Sequence, residues 1–169
     1  MKISIIGCGY VGTVTGVCFA DLGHDIVFCD IDEKKLDLLS HGRAPIYERS
    51  LDDLIQMNRE RLATTSDLAA AVRDTDITFI CVGTPSKYDG SIDLTYVLSA
   101  GATIGKTLHE TPDFHPVIVK STVFPGSTEG PVRAVLEEAS GKQAFVDFGL
   151  GSNPEFLREG NAIQDFRES

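Results

Sequence analysis

Lys2-Ile3-Ser4-Ile5-Ile6-Gly7-Cys8-Gly9-Tyr10-Val11-Gly12 decides the fold of this 169-residue chain. Lys2 to Ile6 is a short apolar run rich in the branched side chains that suit a strand. It runs into Gly7-x-Gly9-x-x-Gly12, and Thr13 to Leu22 then carries helical spacing. A second apolar run, Asp25 to Cys29, ends in Asp30. A strand, a G-x-G-x-x-G turn, a helix and a strand closed by an acid make the dinucleotide-binding fingerprint.

Each residue type has a physical task there. Gly7 lets the chain turn sharply out of the strand, Gly9 lets a diphosphate approach the backbone, and Gly12 lets the helix lie close to the sheet. The helix that follows begins with unpaired N–H groups and a positive dipole end aimed at the phosphates, and Tyr10 and Val11 of the turn join the cofactor contacts. Asp30 stands eighteen residues beyond Gly12, near the spacing for a carboxylate that accepts both ribose hydroxyls. A 2′-phosphate would be repelled there, so the cofactor expected is NAD and not NADP.

Length and composition bound the rest. The chain is long enough for one domain with its own core. Its 42% hydrophobic and 24% charged residues are those of a globular protein. A net charge of −10 argues against nucleic acid and anionic membranes as partners. Phosphate binding must therefore come from local N–H groups. No apolar run approaches a membrane span, and the chain enters a strand at once instead of a signal peptide, so a cytoplasmic setting is expected. Cys8, Cys18, Cys29 and Cys81 form no C-x-x-C pair and read as reduced, mostly buried thiols, with Cys8 open to exposure at the turn. The four histidines, His24, His41, His109 and His115, have no ligand spacing, so no metal is expected; surface or capping roles suit them.

Beyond Asp30, Asp32 serves as a helix cap for Glu33 to Ser40 or as a second ribose contact. Lys34 and Lys35 form a solvated helix face or reach the adenosine end. Ser50 and Asp53 suggest a capping box for a helix to about Arg61. Leu62 to Thr65 reads as a strand, Leu68 to Arg73 as a helix, and Ile77 to Val82 as a strand leaving through Gly83-Thr84-Pro85. Ligands of open α/β sheets bind at the carboxyl ends of strands. That places Thr84 as a cofactor contact or as a plain turn residue. Leu94 to Leu108 reads as a helix. Val117 to Lys120 reads as a strand ending in Ser121-Thr122-Val123-Phe124-Pro125-Gly126. A helix over Thr128 to Ala139, a strand over Gln143 to Phe148 and a turn around Ala162 to Phe166 complete the pattern. Alternating strands and helices predict a doubly wound parallel sheet in three α/β/α layers, a Rossmann fold.

Four blocks carry a resemblance over essentially the whole chain: Gly7-Cys8-Gly9-Tyr10-Val11-Gly12, Val82-Gly83-Thr84-Pro85, Ser121-Thr122-Val123-Phe124-Pro125-Gly126 and Asn153-Pro154-Glu155-Phe156-Leu157-Arg158-Glu159-Gly160. The chain resembles the sugar-nucleotide 6-dehydrogenases, the UDP-glucose and GDP-mannose dehydrogenases. The resemblance implies oxidation of the C6 alcohol of a nucleotide sugar to a uronate, with two NAD and an enzyme-bound thioester. It implies Glu155 as general base for thioester hydrolysis and Thr122 as holder of a catalytic water. Phe156, Leu157, Arg158 and Glu159 line the sugar-nucleotide site, largely by backbone, with Lys120 a secondary contact. By the same likeness Lys35, Val82, Gly83, Thr84 and Ser121 join the cofactor set.

The chain departs from the family at Glu48-Arg49-Ser50-Leu51, where Glu-Pro-Gly-Leu is usual. It also lacks the family's Gly-Gly-x-Cys nucleophile segment, linking helix and second domain. These residues are thus expected to be the N-terminal part of a longer enzyme, inactive alone and homodimeric or higher when whole. Two other readings stay open: a 3-hydroxyacid-type dehydrogenase domain, and a non-catalytic NAD sensor.

Overall fold

Branched and aromatic residues fill the apolar runs, and these become the centre of a six-stranded sheet. The strands are β1 (Lys2–Ile6), β2 (Asp25–Cys29), β3 (Leu62–Thr65), β4 (Ile77–Ile80), β5 (Pro116–Val119) and β6 (Gly149–Ser152). All neighbours run parallel in the order β3-β2-β1-β4-β5-β6. The structure, a computed structural model, describes residues 1–168. The connections wind away from β1 in both directions, so the crevice outside β1 and β4 is the switch point at which such sheets take ligands.

Side chains alternate across the sheet and divide the core in two. Ile3, Ile5, Ile26, Phe28 and Phe79 pack in one layer, beneath α1 (Tyr10–Asp21), α2 (Glu33–Ser40), α3 (Leu51–Met57) and α7 (Ala162–Glu168). Ile6, Val27, Cys29, Ile80, Val117 and Val119 pack in the other, beneath α4 (Leu68–Arg73), α5 (Thr95–Glu110) and α6 (Arg133–Ser140). This is the expected doubly wound, three-layer Rossmann sheet. Asp32 caps α2 by accepting from the Lys34 N–H at 3.0 Å, and Asp67 caps α4 through Ala70 at 2.9 Å. Among the described residues no helix is long and apolar enough to cross a membrane.

Several local expectations are corrected. The first helix starts at Tyr10, not Thr13, because Gly9 already supplies the first accepting carbonyl, to Thr13 N–H at 3.0 Å. Gln143 to Phe148 is a turn, not a strand. The Asp147 carboxylate takes the Gln143 N–H at 2.8 Å, Phe145 adopts φ 68°, and the final strand begins only at Gly149. There a Cβ would lie 3.1 Å from Pro116 Cα, so a glycine lets β6 close on β5. The helix expected over Thr128 to Ala139 opens with a wide turn at Thr128–Val132, in which Val132 N–H bonds Ser127 five residues back at 3.1 Å. Pro131 has no N–H and its ring crowds the carbonyl four residues back, which an expanded turn relieves.

Ser50 does not cap α3. It adopts left-handed backbone at φ 63°, ψ 8°, and its side chain makes no cap bond. α3 also ends at Met57, followed by a 3-10 turn at Arg59–Arg61. The left-handed backbone explains why the family's usual turn has glycine at this place. A left-handed non-glycine residue costs about 1–2 kcal/mol, partly offset by the lower chain entropy of serine. Ser50→Gly is therefore expected to stabilise the fold by about 0.5–1 kcal/mol, read as a rise in the denaturation midpoint at unchanged slope.

His115, expected at the surface or at a helix cap, is buried. His41 and His109 do serve at helix ends, each with Nδ1 2.8 Å from a carbonyl, of Asp37 and Ser140 respectively. His115, 4% exposed, instead places Nε2 2.8 Å from Thr78 Oγ1, which lies 2.7 Å from Ser4 Oγ. Burial lowers the imidazole pKa, opposed by the charge of Asp76 and a backbone bond at Thr75. The unfolded chain then binds the proton more readily. Stability from this site is complete above the ordinary histidine value of about 6.5 and declines as the pH falls below it. The stability gap between the parent and His115→Gln should narrow from pH 8 to 5.5 in thermal melts.

Candidate active site

The turn after β1 is built by missing side chains. Gly7 has φ 104°, and a Cβ there would sit 2.8 Å from the Cys81 carbonyl oxygen. A Cβ on Gly12 would lie 1.9 Å from the Gly7 carbonyl oxygen. Gly16, one turn on, would collide with Phe28 Cε1 at 2.4 Å; the sequence pattern did not single it out. Gly9 is different. A Cβ there would meet nothing within 4 Å. Gly7, Gly12 and Gly16 therefore allow protein to approach protein, whereas Gly9 faces open space at the start of α1. That space lies beside the first N–H groups of α1, at Tyr10, Val11 and Gly12, which could hold a diphosphate. None of the first-turn residues of α1 is acidic, which leaves the positive helix end available to an anion.

Asp30 is held at the tip of β2 by the same turn. Its Oδ2 accepts from the Cys8 N–H at 2.6 Å and lies 3.6 Å from Lys35 Nζ, while Oδ1 accepts from the Asp32 N–H at 2.9 Å. The carboxylate is thereby fixed in orientation beside the phosphate turn, where it can accept ribose hydroxyls. Lys35 is a partner of this acid.

The loops after β4 and β5 are tied to each other. Thr84 Oγ1 donates to the Thr122 carbonyl at 2.7 Å, and Ser121 Oγ donates to the Val82 carbonyl at 2.6 Å. Gly83 next to them has open space where a Cβ would be. Thr122 is exposed and Ser121 buried. All five residues lie at the carboxyl edge of the sheet, beside the switch point.

The segment leaving β6 crosses that edge. Lys120, 6% exposed at the end of β5, donates from Nζ to Asn153 Oδ1 at 2.6 Å. Burial lowers the amine's pKa, opposed by its electrostatic interactions with Cys81 and the Glu155 carboxylate. Glu155 is half-buried, and its Oε1 accepts the Leu157 N–H. Phe156 is 79% exposed. Leu157 packs on the core, and Arg158 forms a two-pronged pair with Asp165 at 2.6 and 3.1 Å, which drops the Asp165 pKa to about 2. Glu159 is exposed. The Arg158 backbone is engaged as well, its N–H donating to Asp165 Oδ2 at 2.9 Å and its carbonyl accepting from the Asn161 N–H at 3.0 Å.

None of the four cysteines is placed to react. Cys8, open to exposure in the sequence, is 0% exposed because its N–H is drawn to Asp30 and its side chain turns into the core. Burial raises all four thiols, Cys29 to about 11 and Cys18 and Cys81 to about 12. Among the described residues no cluster of three or more metal-ligating side chains occurs. Sequence reading missed Glu48, treated only as part of a variant turn. It is 6% exposed and meets the Tyr10 hydroxyl and the Gly160 N–H. A lone acid between Ile46 and Leu51 was the available signal.

The profile of the UDP-glucose/GDP-mannose dehydrogenase family, NAD binding domain, matches residues 1–169. The GDP-mannose 6-dehydrogenase of Pseudomonas aeruginosa is 46% identical over 168 residues, 98% of this chain and 38% of that protein. The UDP-glucose 6-dehydrogenase AglM of Haloferax volcanii is 47% identical over 167 residues, 98% of this chain and 39% of that one. A ternary complex of GDP-mannose dehydrogenase from Pseudomonas aeruginosa superposes with a TM-score of 0.96 at 46% identity, covering 98% of this chain and 38% of that one. The chain therefore spans about two-fifths of the length of the curated relatives it matches. From the turn geometry and these likenesses together, the chain belongs to the UDP-glucose/GDP-mannose dehydrogenase family, as its NAD-binding domain.

Proposed function

We propose that this chain is the cofactor-binding part of an enzyme that oxidises the C6 primary alcohol of UDP-glucose or GDP-mannose to a carboxylate. NAD, when bound, supplies the hydride acceptor. In this reading the N–H groups around Gly7, Gly9, Tyr10, Val11 and Gly12 bind its diphosphate. Asp30 accepts from the ribose, with Lys35 beside it. Val82, Gly83, Thr84, Ser121 and Thr122 flank the cofactor along the edge beside β4 and β5. The single observation that supports the reading best is the pairing of an open Gly9 with a fixed Asp30 at one sheet edge, where the Asn153–Gly160 segment also crosses.

Glu155 acts as general base toward the water that releases the uronate, Thr122 holds that water, and Phe156, Leu157, Arg158 and Glu159 receive the nucleotide sugar. The thioester nucleophile comes from outside these residues, since the four thiols here are buried. A cytoplasmic enzyme, homodimeric or larger, completes the proposal. The test is NADH formation by the full-length gene product with UDP-glucose, GDP-mannose and a 3-hydroxyacid. Two NADH per nucleotide sugar are expected, and turnover of the hydroxyacid alone would overturn the reading.

Two variants probe the residues. Asp30→Asn with Ile31→Arg keeps an acceptor for the Cys8 N–H and adds a cation at a site 92% exposed. Equilibrium titration should show NAD weakened roughly 10–100-fold, the scale of hydrogen bonds to a charged group, and NADP binding gained. Glu155→Gln in the full-length protein should cut steady-state turnover by about 10²–10⁴-fold while a burst of NADH formed before hydrolysis persists.

A further inference from the structure

Glu48 is a buried acid whose recorded partners are two hydrogen-bond donors rather than a cation. The Tyr10 hydroxyl and the Gly160 N–H, the latter at 2.7 Å, converge on the same oxygen, Oε2. The Gly160 N–H also lies 3.3 Å from the Tyr10 hydroxyl, and that hydroxyl lies 3.4 Å from the Arg158 carbonyl oxygen. These three residues come from distant places in the chain. Tyr10 opens α1 within the cofactor turn, Glu48 lies on the connection before α3, and Gly160 ends the segment that leaves β6. Burying a carboxylate is costly unless donors satisfy it, so the node holds its geometry or loses its stabilisation as a unit. Burial and the Glu48 bond both raise the Tyr10 pKa, which keeps the phenol a donor. Gly160 has φ 86°, which suits glycine and aims its N–H inward at the acid.

The segment it anchors has few other ties. From Asn153 to Gly160 most residues are exposed, and the holds on it include Asn153 to Lys120 and to the Val119 carbonyl at its head, Leu157 on the core, and Arg158 to Asp165 and to the Tyr10 hydroxyl. Fixing Gly160 therefore limits the stretch that carries Glu155 to Glu159.

We propose that Glu48 is a positioning residue that couples the two halves of the site, passing order from the NAD-bound turn through Tyr10 to Gly160 and the Glu155–Glu159 stretch. The coupling rests on the reading of that stretch as the substrate side given above. It works through a difference in order between the free and NAD-bound states, and it is reciprocal: a ligand held by the stretch tightens NAD.

The test is amide hydrogen exchange of the full-length protein with and without saturating NAD, alongside NAD titration. In the parent, NAD should slow exchange across residues 155–160. Glu48→Ala should speed exchange at Gly160 by ~3–10-fold, the worth of one hydrogen bond, and abolish the slowing by NAD. Glu48→Gln retains an oxygen that both donors can share and should restore it, which a purely electrostatic role would not allow. Tyr10→Phe removes only the hydroxyl, carries the test if Glu48→Ala fails to fold, and should also reduce the NAD effect. The proposal is overturned if bound NAD leaves 155–160 unchanged in the parent, or if either of Glu48→Ala and Tyr10→Phe keeps the full NAD effect. If the interlock behaves as stated but no nucleotide sugar yields NADH, the substrate reading fails and the coupling stands.

Discussion

Everything at the candidate site depends on the clearance between α1 and the backbone beneath it. With a Cβ on Gly12 the helix would overlap the Gly7 carbonyl, and with one on Gly16 it would overlap the Phe28 ring. Removing those carbons lets the helix start directly above the strand it follows. Its first N–H groups then open at the sheet edge and not some ångströms above it. The same turn fixes Asp30 through the Cys8 N–H, so phosphate and ribose recognition share one scaffold. This placement also answers the charge problem. A chain of net charge −10 attracts an anionic dinucleotide only by local means, and backbone dipoles are local.

The parts legible in the sequence were those set by local pattern. The apolar runs Ile3 to Ile6 and Ile26 to Cys29 follow from short-range sterics and burial and are strands in the structure, and the glycine spacing marks the turn between β1 and α1. The misread parts were decided by contacts between distant residues. Gln143 to Phe148 has strand-like composition, yet Asp147 bonding back to Gln143 turns it, a competition that composition does not express. Ser50 looked like a cap because serine is common there; the backbone it occupies was visible only through the family's usual glycine. His115 carries no local mark of burial, since its partner Thr78 lies 37 residues away.

The site residues divide in the same way. The cofactor turn is contiguous and readable from spacing. The edge loops were legible as positions at strand ends, but the ties between Thr84 and Thr122 and between Ser121 and Val82 are visible only in three dimensions. They make the two loops one rigid rim, which suits a surface that must hold a cofactor at a fixed depth. Lys120, expected as a secondary contact, also ties the head of the segment that carries Glu155 to the end of β5 through Asn153.

The four buried sulfurs have a consequence of their own. Protonated and shielded, they are spectators toward electrophiles and oxidants at neutral pH. A domain that handles an oxidising coenzyme thereby keeps its own thiols out of the electron traffic. Under the proposed function, covalent capture of substrate falls to a sulfur outside these residues, with no rival on the coenzyme side.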